Sequence, residues 1–225
     1  MNQSPPLTYR IFLLIFFCIL LILNTFTGLG LPIMNKIDCT IDSTFTNTEE
    51  INSFLQKFKD KNIQGPILII ISLLSDCLFV YQCIRWIQLG KSFRFVFEIV
   101  ALYAIKICFG LIFRLETPLG YLMTYPGIPS ITISYLNTNA FFFNGTIGLL
   151  TILIKEFYYS KKEMLMLFTI FDILLYSSSL IFLRANYCID ILFGVLFGDF
   201  IDEIFRNWIY KEYKAAIIKE LSNSI

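Results

Sequence analysis

Apolar runs long enough to cross a bilayer recur along this chain, and no other feature limits its folding so strongly. Ile11 to Leu23 is uninterrupted and continues through Asn24 and Thr25 to Leu31. Pro66–Ile84, Phe93–Phe113, Ala140–Phe157, Met164–Leu183 and Tyr187–Ile209 follow. A helix needs about 20 mainly apolar residues to span the hydrocarbon core, so an all-α bundle of six transmembrane helices is expected. Composition agrees. Of 225 residues 56% are hydrophobic, 17% aromatic and only 16% charged, which lies outside the usual soluble range. The net charge of +1 gives no bulk field to recruit nucleic acid.

Four parts follow from the hydropathy pattern: 1–34 as N-terminal tail and first span, 35–65 as an extramembrane loop, 66–210 as the membrane core, and 211–225 as an amphipathic tail. The first run has a signal-peptide-like core, but Asn24-Thr25-Phe26-Thr27-Gly28 is a poor small-residue cleavage site, so a retained span is expected. In the loop, Asn47-Thr48-Glu49-Glu50 has capping-box spacing, and Ile51, Phe54, Leu55 and Phe58 fall on one helical face. A short amphipathic helix is expected there, apolar side down on the membrane or on the bundle mouth. Pro118, Pro126 and Pro129 with Gly120 and Gly127 forbid a continuous helix over 114–139. That connection is expected to fold over the mouth formed by the third, fourth and sixth spans.

Basic residues set the orientation. Arg10, Arg85, Lys91, Arg94, Lys155, Lys161, Lys162, Arg206 and Lys211 gather on the side of the termini, which is therefore the cytosolic or matrix side. Within the spans, Asp76, Glu98, Lys106 and Asp172 are costly at bilayer depth and predict internal partners. Lys106 is expected to pair with Asp76 or Glu98, or with a neighbouring subunit. Asp199, Asp202, Glu203 and Arg206 are spaced for neutralisation along one helix.

The residue inventory excludes much chemistry. Histidine is absent, which removes the usual general base near neutral pH and the commonest transition-metal ligand. No metal or other cofactor is expected. Five of the six cysteines lie in apolar runs and read as small buried hydrophobes rather than a disulfide framework. Cys108 and Arg114 have Cys-x5-Arg spacing, yet the residues between them form an apolar helix end and not a phosphate-cradling loop.

Two segments stand out, Phe141-Phe142-Phe143-Asn144-Gly145-Thr146-Ile147-Gly148 and Arg184-Ala185-Asn186-Tyr187-Cys188-Ile189-Asp190. Together with Arg114-Leu115-Glu116-Thr117 and Tyr125-Pro126-Gly127-Ile128-Pro129-Ser130, they resemble the active-site motifs of the type 2 phosphatidic acid phosphatases. The likeness is to the branch that includes the sphingomyelin synthases, and it covers roughly residues 105–200. The resemblance implies a lipid-phosphatase-like bundle in which one histidine is general acid, a second is nucleophile, and an aspartate orients the second. Here Thr146 and Asn186 occupy the histidine positions and only Asp190 remains. An amide is not a nucleophile, and no base is available to activate the Thr146 hydroxyl. Leu180 stands where many relatives carry a phosphate-binding arginine.

The expectation is thus a catalytically inactive relative. Arg114, Thr117, Arg184 and Tyr187, with Ser130, would hold a lipid phosphate without reacting with it, since a guanidinium fork matches phosphate oxygens. The alternative is that both arginines only mark span ends. Asn186 is expected to bridge Thr146 and Asp190. Expected partners are membrane phospholipids and other membrane-protein subunits. The Ile-, Phe-, Tyr-, Asn- and Lys-rich composition suits an AT-biased coding sequence. That points to an accessory subunit of an enlarged respiratory complex in the mitochondrial inner membrane, with the endoplasmic reticulum or Golgi membrane as alternative. A working phosphotransferase with substitute residues, or a transporter or scramblase using the emptied pocket, are the rival readings.

Overall fold

A computed structural model describes residues 8, 11, 12, 15, 19, 48–57, 64–89, 93–112, 118, 120–133, 135 and 143–223. Among them are six helices and no strand: α1 Glu49–Lys57, α2 Gln64–Leu89, α3 Arg94–Ile112, α4 Gly145–Tyr159, α5 Glu163–Phe182 and α6 Cys188–Asn223. Two stretches, Gly65–Leu89 and Glu163–Phe182, are long and apolar enough to cross a membrane. Of the first expected span only Ile11, Phe12, Ile15 and Ile19 are described, all helical and exposed, and Cys39 lies outside the described residues. Residues 211–223 continue α6 without a break, so no element boundary falls at 211.

The centre of the bundle is α4, which is buried along most of its length. It crosses α6 at backbone contact, and glycines permit that approach. A Cβ on Gly198 would lie 2.5 Å from the Gly148 carbonyl oxygen, and one on Gly194 would lie 2.7 Å from that of Asn144. Such small-residue seams let helices pack closely where lipid supplies no hydrophobic drive. Leu102, Leu149, Leu150, Ile152, Leu153 and Phe157 fill the core beside this seam.

The connection between α3 and α4 is irregular wherever it is described, as its prolines require. Its position differs from the expectation. Leu122, Met123, Ile133 and Tyr135 pack on Leu68 and Ile71 of α2, Ile147 of α4, and Tyr176 and Leu180 of α5. The described part of the connection therefore fills the space between α2, α4 and α5 rather than the expected mouth of the third, fourth and sixth runs. Asp76 draws it there. This carboxylate, halfway along α2, accepts bonds from the Thr132 amide at 2.9 Å and hydroxyl at 2.7 Å, the Ser130 hydroxyl at 3.0 Å and the Ile131 amide. A span carboxylate and an unpaired loop backbone, each costly alone, satisfy one another. Burial pushes the Tyr121 and Tyr135 phenols above their ordinary range, which keeps both as neutral donors.

Helix α1 forms where the capping-box spacing puts it, and Leu55 of its apolar stripe packs partly buried against the cluster under the connection. Its buried residue is Asn52, while Ile51 and Phe54 are 43% and 58% exposed. The Asn52 amide donates to the Phe182 carbonyl at 3.0 Å and to the Gly120 carbonyl at 3.4 Å. Carbonyls at a helix C-terminus lack intrahelical donors, so the Asn52 amide docks at the end of α5. The cysteines also depart in part from the expected burial: Cys83 is buried, but Cys77 and Cys108 are exposed on their helices.

Candidate functional site

The two motif segments meet, and Asn144 joins them. It is the N-cap of α4, accepting from the Ile147 amide at 3.1 Å, the ordinary role of a short polar side chain at a helix start. Its backbone N–H donates to the Asp190 carbonyl at 3.0 Å, and its side-chain amide donates to Asn186 Oδ1 at 3.3 Å. Asn186 in turn donates to Asp190 Oδ2 at 3.1 Å, and the same oxygen accepts the Tyr187 amide at 3.0 Å. The i,i+4 pairing of Asn186 with Asp190 is thus present. The expected bridge from Asn186 to Thr146 is not.

Thr146 is engaged elsewhere. Its hydroxyl donates to the Thr132 carbonyl at 2.6 Å, and the Tyr176 phenol is in hydrogen-bonding reach of both Asn144 and Thr146. The hydroxyl turns to the connection because a buried loop carbonyl without a donor costs more than a second bond to an amide already satisfied. The Ser130 hydroxyl is likewise committed, to Asp76, and accepts from the Ile133 amide.

Of the expected phosphate-binding residues, Arg114 and Thr117 lie outside the described residues. Tyr187 is buried at the start of α6. Arg184 follows the C-cap of α5 with φ +49°, a left-handed conformation uncommon for a side-chain-bearing residue. The turn is closed by the Arg184 amide donating to the Ile181 carbonyl and the Ala185 amide to that of Leu180. The Arg184 guanidinium reaches Gly120, where a Cβ would lie 3.0 Å from its Nη1 and 2.9 Å from Asn52 Oδ1. Gly120, at φ +81°, is thus held as glycine both by its backbone and by this crowding.

Lys106 lies against the start of the first motif helix. Its side chain lies across the first residue of α4, where a Cβ on Gly145 would be 2.7 Å from its Cδ and 3.2 Å from its Nζ. The expected pairing of Lys106 with Asp76 or Glu98 does not form. Asp76 is taken by the connection and Glu98 by Arg94, and among the described residues Lys106 has no carboxylate partner. Its nearest charge-related contact is the Tyr103 ring, 5.8 Å away. Asp172 is fully buried and accepts from Ser75 at 2.5 Å. Among the described residues no bond joins Lys106 to Asp76 or Asp172.

A second polar cluster lies further along the same helices, and sequence reasoning missed its extent. Arg94 of α3 bonds Glu98 at 2.7 Å, Asp202 of α6 at 2.8 Å, and Glu156 of α4. Gln82 of α2 donates to Glu156 at 3.2 Å, and Arg206 bonds Asp202 at 2.7 Å while stacking on Tyr159. The Asp202–Arg206 pair is the one that i,i+4 spacing predicts, whereas Asp199 pairs with Lys155 of α4 instead. Arg94 reads in the sequence as one more basic residue at a span end. Its position four residues before Glu98 was the only local signal of the cluster.

No family model, curated protein or solved structure matches this chain.

Proposed function

We propose that this chain is a six-span membrane protein built on a lipid-phosphatase-like bundle, without that family's phosphoryl chemistry, and that it holds the headgroup of a phospholipid. The observation that carries this reading is the Lys106 ammonium at the N-terminus of α4. A helix N-terminus presents free amides and a partial positive charge, and here an ammonium without a described carboxylate partner lies beside it. Such a pair suits a phosphate oxygen. Asn186 and Asp190 are tied to each other and to Asn144, an arrangement that supplies neither a nucleophile nor a proton donor at neutral pH. The role is therefore binding rather than turnover.

Membrane embedding is supported by apolar side chains facing outward on three helices, among them Ile70 and Leu73 of α2, Phe168 and Phe171 of α5, and Leu192 and Phe200 of α6. Surface of that size on a chain this apolar calls for lipid or a partner subunit. We place the protein as an accessory subunit of a larger membrane assembly, with the mitochondrial inner membrane as its site.

Native mass spectrometry of the chain released from mild detergent tests the binding role. Wild type should retain anionic phospholipid, and Lys106→Gln, which keeps the length of the side chain, should lose most of it. Equal retention by the two proteins would remove the lipid-holding role, and phosphate release from phosphatidic acid by wild type would restore an enzyme. Co-purification of stoichiometric membrane partners tests the assembly.

A further inference from the structure

The Arg94 cluster does not balance its charge. Three carboxylates, Glu98, Glu156 and Asp202, face two guanidiniums, Arg94 and Arg206, which leaves one negative charge in excess. Their oxygens lie within 4.8 Å of one another. Glu98 and Asp202 even share a donor, since both accept from Arg94 Nη1, at 2.7 and 2.8 Å. The excess charge is located by burial. Glu156 and the two arginines keep some exposure, but the Glu98 side chain has none. Its Oε1 accepts from Arg94, while its Oε2 is buried with no hydrogen-bond partner among the described residues.

We infer that the cluster binds one proton, on Glu98 Oε2, and that this proton completes the neutral, interlocked state of α3, α4 and α6. An ionised carboxylate with a bare oxygen in a dry interior costs far more than a neutral acid in the same place. Two carboxyls this close, sharing one donor, do not both ionise readily. A metal ion is not the counter-charge, because the Arg94 guanidinium already stands among the three carboxylates. The neighbouring Lys155 is offset by its own partner, Asp199, so this pair leaves the balance unchanged. From its own helix Glu98 faces Arg94, and from α6 it faces Asp202 and Arg206. The α4 member, Glu156, is neutralised by Arg94 and Gln82, and α2 adds Arg85 behind Gln82. Binding forms an O–H bond with a proton from water, and release returns it there, so no other reactant is needed.

The bound proton makes the fold sensitive to alkali. The folded chain holds a proton that the unfolded chain has given up near neutral pH, so stability falls as pH rises. Deprotonation leaves the cluster negative and weakens the tie of α3 to α4 and α6.

Infrared spectroscopy of the full chain in lipid nanodiscs tests this directly, because a protonated carboxyl has a carbonyl stretch that a carboxylate lacks. At neutral pH, wild type should show such a band that Glu98→Gln removes and Glu163→Gln, at the exposed start of α5, leaves in place. Glu98→Gln imitates the protonated side chain, so it should keep the neutral-pH unfolding midpoint and abolish its fall at alkaline pH. Asp202→Asn supplies a check in which Glu98 itself is retained. Removing the neighbouring charge favours ionisation of Glu98 against Arg94, so the band should disappear at a lower pH than in wild type. A spectrum with no Glu98-dependent band would overturn the inference, as would a band whose disappearance on raising the pH is unmoved in Asp202→Asn. A Glu98→Gln protein that loses as much stability at neutral pH as one lacking Arg94 would do the same, since it would show that the charge of Glu98 holds the cluster.

Discussion

Replacing Gly198 by alanine adds one methyl group at the point where α4 and α6 come closest. That carbon would sit 2.5 Å from the Gly148 carbonyl oxygen, 2.9 Å from Thr151 Cβ and 3.1 Å from Gly148 Cα. Two of these three atoms are backbone, so no rotamer change relieves the contact and the helices must separate. Overpacking of this kind costs about 1–3 kcal/mol. The upper end applies here, because α4 is the buried centre of the bundle and its displacement is felt on both sides. Against this, alanine in a helix gains roughly 0.5–1 kcal/mol over glycine. The net loss is about 2 kcal/mol, a shift of more than tenfold in the unfolding equilibrium. Unfolding by a denaturing detergent, followed through the buried Trp86, measures it. Gly127 supplies the contrast, since nothing lies within 4 Å of its Cβ position and only its φ of +93° opposes a side chain. Gly127→Ala should cost roughly 1–2 kcal/mol from backbone conformation alone and leave helix packing intact, as read by crosslinks across α4 and α6. A Gly198→Ala protein as stable as wild type would refute the backbone contact and, with it, the glycine seam.

Arg94→Met should be among the most damaging single changes, losing about 3 kcal/mol by stranding buried carboxylates. Arg94→Lys should rescue little, because one ammonium cannot fork to three acids. Thermal unfolding in mild detergent checks both, and rescue by lysine would show that charge alone suffices. Asn144→Ala removes the α4 cap and the link to Asn186 and should cost about 1–2 kcal/mol. Unchanged stability in the same assay would mean that neither bond contributes.

The sequence was most informative where one residue's surroundings decide its state. Apolar runs gave α2 to α5 to within about five residues at each end and the start of α6, which however runs on past Ile209 to Asn223. The start of α4 moved from Ala140 to Gly145 because Asn144 caps it, a preference visible in the residue type itself. Prolines ruled out a helix over the connection for the same local reason. What depends on distant partners was not legible. Asn52 looks like an interruption in the apolar stripe of α1, and its inward role appears only beside carbonyls 68 and 130 positions away. Arg94 marks a span end until Glu156 and Asp202, 62 and 108 positions on, are placed around it. Asp76 is one more unexplained span charge until the connection folds back to it. In the motif pair, the Asn186–Asp190 bond followed from helical spacing. The choice of Asn144 over Thr146 as third member followed from the loop carbonyl that claims Thr146.

That last choice bears on whether the lost chemistry can be restored. Were Thr146 and Asn186 simple stand-ins in an open pocket, Thr146→His with Asn186→His would return both histidines to a waiting site. In the structure Thr146 and Asn186 are both committed to bonds within the protein. Thr146 is 4% exposed, and its hydroxyl donates to the Thr132 carbonyl. An imidazole there displaces that bond and crowds Tyr176 and the connection, an overpacking worth about 1–3 kcal/mol. At 186 a histidine keeps Asp190 within reach but loses the amide from Asn144. Leu180, buried in the apolar cluster under the connection, supplies no charge for a phosphate. The double variant should therefore be less stable than wild type and release no phosphate from phosphatidic acid above the level of its Asp190→Ala counterpart. Turnover that depends on both new histidines and on Asp190 would show that the pocket still admits a lipid phosphate between the helix starts. The bonds of Thr146 and Asn186 would then be ones that a bound substrate can break.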